Sequence, residues 1–240
     1  MQAQVFVPGK DKFMKNIMNS SWSPKEVADE FQAYLVQDAS FTSKEEYPIL
    51  RKDMISTTPP KRILPFSKAI NSKEDLSDTF ICTFSPDNTF KRVLHNPKRY
   101  VDFFKRTAGL LGFDFSIHSD MPIIKQKKCI DDNLSLTYFY GNQGIPIIPN
   151  LRCGIDELLP EFLETIPHKS MVAIGTHGFI KYKYEKYEWY CFLNNIIPIL
   201  NPSTIIVYGS LKGKLFDEIK KDVRIIEYEP WSTSRRKGVL

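Results

Sequence analysis

The sequence predicts an α/β protein with a mainly parallel sheet of about six strands and flanking helices. Two observations carry that prediction. Short apolar runs recur through the second half and stop abruptly in small or polar residues, at 112–116, 145–150, 171–178, 204–210 and 223–228. The stretches between them are long enough for crossover helices, which parallel strands require.

The elements follow in chain order. Ser23-Pro24-Lys25-Glu26 offers an N-cap, a proline at the first helical position and a capping-box glutamate. Val27, Phe31, Tyr34 and Leu35 then fall at helical spacing, so a helix is expected over 24–36, with a shorter one over 43–51. The segment 56–62, with its two prolines, reads as a linker. The chain therefore divides into a helical N-terminal extension, 1–60, and an α/β domain, 61–240.

In that domain the first strand is expected at 80–84, then a helix over 96–107 that starts at Asn96-Pro97. A strand at 112–116 leads into a helix over 121–140, whose Asp131-Asp132-Asn133 is a poor helix interior. Strands at 145–149, 171–175, 204–208 and 223–228 alternate with helices at 156–165, 184–197 and 213–221. Right-handed crossovers bring the carboxyl ends of all these strands to one edge. An open doubly wound sheet and an incomplete β/α barrel both satisfy the pattern.

Composition narrows the class. An apolar share of 42% and an aromatic share of 13% suffice for a sizeable core. No window approaches the roughly 20 apolar residues of a membrane span. The first ten residues lack a basic stretch followed by a long apolar core, so no cleaved leader and no membrane partner are expected. Cys82, Cys129, Cys153 and Cys191 form no CxxC pair, which excludes zinc spacing and a disulfide framework and points to the cytoplasm. The net charge of +5 permits anionic partners without requiring nucleic acid.

Parallel sheets place their chemistry where the strands end. The residues there are Asp114 and Ser116, Asn150 and Arg152, Thr176 and His177, Tyr208 and Ser210, then Glu227 or Glu229. Asp114 suits a base or a ligand for a divalent metal, with His118 and Asp120 on the loop beyond it. Arg152 offers a planar fork for phosphate or carboxylate, or an ion pair with Asp114. Two glycines bracket Thr176-His177, so the backbone can approach a ligand, and His177 is placed for general acid/base work. Tyr208 and Ser210 repeat the device one strand later, with Lys212 and Lys214 following. No GxxxxGK[ST] occurs and no GxGxxG follows a strand, which leaves the classical ATPase and NAD-dehydrogenase assignments little support, and there is no GxSxG elbow or HExxH.

Two further segments carry charge. The tail 231–238 combines a tryptophan, hydroxyls and a basic run, and reads as a solvated basic tail or a phosphate-backbone grip. The segment 181–187 interleaves lysines with Tyr182, Tyr184 and Tyr187, as a single-strand platform does, or as the exposed start of an amphipathic helix.

Six spaced motifs, taken in order, carry a resemblance. They are Leu64-Pro65-Phe66-Ser67, Asn96-Pro97-Lys98-Arg99-Tyr100, Asp114-Phe115-Ser116 with Asp120-Met121-Pro122, Ile148-Pro149-Asn150-Leu151-Arg152, Gly175-Thr176-His177-Gly178 and Val207-Tyr208-Gly209-Ser210. Over about 61–240 the chain resembles an uncharacterised domain-of-unknown-function family met on bacterial phages, plasmids and integrative elements. The resemblance implies a mobile-element setting in a bacterial cytoplasm and no particular reaction.

The expectation is a polar cleft at the strand ends that binds a phosphorylated ligand, either a nucleotide or a nucleic-acid end. Asp114 and His177 are its candidate catalytic groups. Ser116, Asn150, Arg152, Thr176, Tyr208 and Ser210 are its candidate ligand contacts. Phosphate-directed hydrolysis or transfer is one outcome. A non-catalytic protein that sequesters a nucleotide, or that binds nucleic acid or a protein partner through the 24–36 helix, is the other.

Overall fold

Among the described residues seven short strands, all paired in parallel, follow one another in chain order. The computed structural model describes residues 32–118, 120–176 and 182–237. β1 (Arg62–Pro65), β2 (Thr79–Cys82), β3 (Gly109–Leu111) and β4 (Ile147–Ile148) form one four-stranded sheet, in that order. β5 (Met171–Gly175), β6 (Thr204–Tyr208) and β7 (Ile225–Tyr228) form a three-stranded sheet. The α/β class with parallel pairing is as the sequence predicts. The single sheet of about six strands is corrected to two sheets, and neither contains the reversal of strand order that a doubly wound sheet has.

The break between the sheets has a local cause and a long-range one. Pro146 and Pro149 flank β4, and proline donates nothing to a ladder, so β4 is two residues long. Its other edge is occupied by the chain ahead of β1, where Ser56 N donates to Ile147 O at 2.8 Å. β5 therefore hydrogen-bonds to this part of the chain only from Pro149 onward. There Ala173 N donates to Pro149 O at 2.7 Å and Leu151 N to Ala173 O at 2.8 Å, an isolated parallel bridge between Asn150 and Ala173.

The helices are α1 (Phe66–Ala69), α2 (Arg92–His95), α3 (Val101–Lys105), α4 (Ile123–Asn142), α5 (Leu159–Glu164), α6 (Lys183–Leu200), α7 (Lys214–Asp222) and α8 (Trp231–Arg236). Two strands differ from expectation. β1 falls in what reads as a linker and its sequel, because Pro59, Pro60 and Pro65 hide a run of only two aliphatics, Ile63 and Leu64. β3 lies three residues earlier than the expected 112–116, since Gly109 and Leu110 pair with Phe80 and Ile81. The segment 112–118 follows it with no regular structure.

The chain divides into two units, Met1–Tyr34 and Leu35–Leu240. Residues 24–31 of the expected first helix lie outside the described residues, and so does the partner-binding role assigned to it. The helix expected over 43–51 does not form. Glu46 takes a positive φ of 56°, and Phe41 bridges to Pro48 in antiparallel fashion. The N–H groups of Lys44 and Glu45, with the hydroxyl of Thr42, instead donate to one carboxylate oxygen of Glu161.

Alternate strand residues feed two cores. On one side Val172, Ile174, Ile205 and Val207 pack with Phe162, Leu193, Ile196, Phe216 and Ile219 of the helices. On the other, every strand contributes to a single cluster. It holds Ile63, Phe80, Cys82, Leu111, Ile148, Met171, Ala173, Ile206 and Tyr208, with Ile226 and Tyr228 packed against it. Burial on both faces explains why these strands read as unbroken apolar runs. Among the described residues no helix is long and apolar enough to cross a membrane.

Candidate functional site

Past β3 the chain runs extended and is pinned from behind by α4. Phe113 N donates to Thr137 Oγ1 at 3.2 Å and Phe115 N to Asn133 Oδ1 at 2.7 Å, while Asn133 Nδ2 returns a 3.4 Å bond to Phe115 O. Asn133 is the residue that looks wrong inside a helix, and its side chain serves as backbone partner for the strand-end segment. Phe113 and Phe115 are buried against Phe90.

Asp114, between those two rings, is 9% exposed. Asn150 Nδ2 donates to its Oδ1 at 2.8 Å and to Phe113 O at 3.2 Å. Arg152 Nε lies 3.9 Å from the same carboxylate oxygen, and Arg152 Nη2 donates to Ile117 O at 3.1 Å. The strand ends can approach this closely because residue 112 is glycine: a Cβ there would sit 2.8 Å from Asn150 N. Burial pushes the Asp114 carboxyl above its ordinary range. Arg152 and the Asn150 hydrogen bond oppose that shift, Asp87 adds to it, and the balance stays upward.

Thr176 and Ser210 form a second group. Ser210 N donates to Thr176 Oγ1 at 2.9 Å, and Thr176 N donates to Tyr208 O at 3.1 Å. Ser210 Oγ donates to Glu227 Oε2 at 2.7 Å, and Lys220 Nζ lies 3.0 Å from Oε1. Burial raises Glu227, but Ser210, Lys220 and the Leu211 N–H together hold its carboxyl below the usual range. Tyr208 is buried, stacks on Phe84 at 5.7 Å, and accepts the Trp231 N–H at 2.9 Å. The fully buried thiol of Cys82, the last residue of β2, packs in one cluster with Tyr208. Burial pushes it up to about 12 with Asp114 adding to the effect, and Cys82 in turn adds to the upward shift of Tyr208.

Of the residues singled out from sequence, Asp114, Asn150 and Arg152 come into direct contact. Thr176 and Ser210 bond to each other, and Tyr208 packs in the core cluster that includes Cys82. Ser116 turns away from Asp114, its N–H and hydroxyl donating to Asp87 at 3.2 and 2.9 Å. His177 lies outside the described residues. Among the described residues no three His, Cys, Asp or Glu side chains are grouped to hold a metal, so the Asp114, His118 and Asp120 cluster does not form. The basic tail forms the short helix α8, with none of its residues buried and Trp231 facing Lys68 at 4.4 Å and Arg235 at 5.2 Å. Asp87 and Cys82 were missed. Cys82 is the last residue of β2 and Asp87 opens the short 3-10 turn in the chain that follows it, so the strand-end rule reaches both. A separate cavity of about 580 Å³ opens at the opposite edge, lined in part by Lys61, Asp78, Ala108 and Pro146.

These features define a parallel α/β protein whose polar side chains gather at the carboxyl edge of its strands. The chain belongs to the family described as "Domain of unknown function (DUF4417)", whose model matches residues 40–229. It is similar to the Gene 1 protein of Mycobacterium phage L5, with 26% identity over 156 residues, or 65% of this chain and 67% of that protein. It is also similar to the Gene 1 protein of Mycobacterium phage D29, with 23% identity over 156 residues, or 65% of this chain and 57% of that protein. No solved structure matches the chain. The resemblance read from the six motifs, to an uncharacterised family met on phages, is borne out.

Proposed function

We propose that the seven strands act as the staves of an open β/α barrel, and that their carboxyl edge binds a phosphorylated ligand, a nucleotide or a nucleic-acid end. The observation that carries this reading is the buried Asp114, Asn150 and Arg152 unit. A guanidinium held beside a carboxyl that resists ionisation presents net positive charge to the cleft whenever Asp114 is protonated. A phosphate arriving there meets that charge in a site of low dielectric, where it acts most strongly.

Asp114 is then the group that can take up or release a proton at the ligand, and Asn150 fixes its orientation. Thr176 and Ser210 supply hydroxyls on the neighbouring strand ends, and His177, which follows Thr176 in the sequence, remains a candidate acid/base. Phosphate-directed hydrolysis or transfer is the chemistry this set suits. By analogy with the phage-encoded relatives, the protein serves a mobile element as an accessory factor in the cytoplasm of a bacterial host.

Calorimetric titration with pyrophosphate, nucleoside triphosphates and a 5′-phosphorylated oligonucleotide tests the reading. Saturable binding that an Arg152→Gln, Asp114→Asn double variant loses while keeping its fold is the expected result. Undiminished affinity in that variant would rule the reading out.

A further inference from the structure

α6 packs one side on the core through Leu193, Ile196 and Leu200, with Trp189 and Tyr190 half-covered. Its first turns leave three large rings in solvent. Tyr182, Tyr184 and Tyr187 are 60%, 61% and 60% exposed. Tyrosine ordinarily buries its ring and wets only its hydroxyl, so three such rings within six residues call for a partner. The rings of Tyr182 and Tyr184 lie 5.8 Å apart and within 6° of parallel, the attitude of successive stacked bases.

The surrounding charge identifies the partner. Lys183 and Lys186 interleave with the tyrosines, and Lys212 and Lys214 follow β6. None of the four makes an ion pair among the described residues. Against them, Glu185 is engaged in capping the helix, its Oε2 accepting Tyr182 N–H at 2.8 Å, which leaves Glu188 as the opposing acid of the first two turns. Because β5 and β6 are parallel and α6 connects them, the N-terminal end of α6 lies on the side of the strands' carboxyl ends, the side that also carries Thr176 and Ser210. Rings for base faces, lysines for phosphates and adjacency to the rim together match a single strand. Among the described residues the first turns of α6 expose no aliphatic side chain, and the exposed Ile199 stands near the far end of the helix.

We infer that the exposed face of Tyr182, Tyr184 and Tyr187 is a stacking platform for single-stranded nucleic acid, leading the strand's phosphate end into the strand-end rim. The inference rests on the phosphate reading above for where that end goes.

The test uses the full chain and a labelled, 5′-phosphorylated oligothymidylate of about 12 nucleotides, within the range of known single-strand sites. Anisotropy measures the oligonucleotide, and calorimetry measures pyrophosphate. Tyr184→Ala and Tyr187→Ala each weaken the oligonucleotide by about tenfold or more, and pyrophosphate binding is unchanged. Tyr184→Phe keeps wild-type affinity, because the ring and not the hydroxyl stacks. Lys183→Gln and Lys186→Gln reduce the salt dependence, by roughly 0.7 in the log–log slope for each phosphate no longer neutralised. Oligonucleotide affinity within twofold of wild type in both alanine variants overturns the platform and leaves the phosphate reading intact. So does a wild type that binds pyrophosphate but no oligonucleotide, or tyrosine variants that alter only self-association. A wild type that binds neither overturns both.

Discussion

Replacing Asp114 by asparagine keeps the shape and the hydrogen-bonding position of the side chain while removing its charge. The variant therefore mimics the protonated wild type at every pH. Attraction across the 3.9 Å gap to Arg152 is about 4 kcal/mol at an effective dielectric constant near 20. Taking a carboxylate out of water costs several kcal/mol, and for Asp114 burial prevails, leaving the carboxyl above its ordinary value of 3.8. The folded protein then holds this proton more tightly than the unfolded chain does. Its contribution is fully present below about pH 4 and is lost as pH rises through the folded-state value. Relative to the wild type, Asp114→Asn gains about 1.4 kcal/mol of stability between acid and neutral pH for each unit of upward shift. Urea unfolding of both proteins at half-unit steps from pH 4 to 8 measures that difference. A flat difference, or one in which the wild type gains as pH rises, would refute the reasoning, because the Arg152 pair would then dominate.

Three further outcomes follow from the same geometry. Asn133→Ala removes both bonds to the Phe115 backbone and leaves buried peptide groups unpartnered, so stability falls by about 2–4 kcal/mol in denaturant melts. Gly175→Ala places a Cβ 2.5 Å from the ring of Phe84 that stacks on Tyr208; thermal unfolding should report a loss of about 1–3 kcal/mol. The Cys82 thiol, fully buried and pushed up to about 12, should resist alkylation at pH 8 in the folded protein and react only on unfolding, as peptide mapping after iodoacetamide would show.

The parallel α/β class was legible because strands buried on both faces leave uninterrupted apolar runs. β5 and β6 match residue for residue the segments read from sequence. β1 was hidden because prolines surround its two aliphatics, and a parallel ladder tolerates Pro65 at the strand's end. The division into two sheets turns on Ser56 reaching Ile147, a pairing between residues far apart in the chain that no local pattern encodes. At the rim, Asn150 and Arg152 were found by their position after β4, and their bonds to Asp114 follow from β3 and β4 being neighbours. Asn133 was misjudged because helix propensity counts a buried amide as a cost and cannot see the strand-end backbone that it satisfies.

The measurement closest to the central claim compares pyrophosphate affinity of the wild type and Asp114→Asn between pH 5 and 8. The ratio of the two affinities cancels the titration of pyrophosphate itself. If Arg152 draws in the anion and ionised Asp114 opposes it, the variant binds at least as tightly as the wild type throughout, and its advantage grows as pH rises through the folded-state value of Asp114. A variant that binds more weakly than the wild type at every pH, or a wild type that does not bind pyrophosphate at all, would contradict the account.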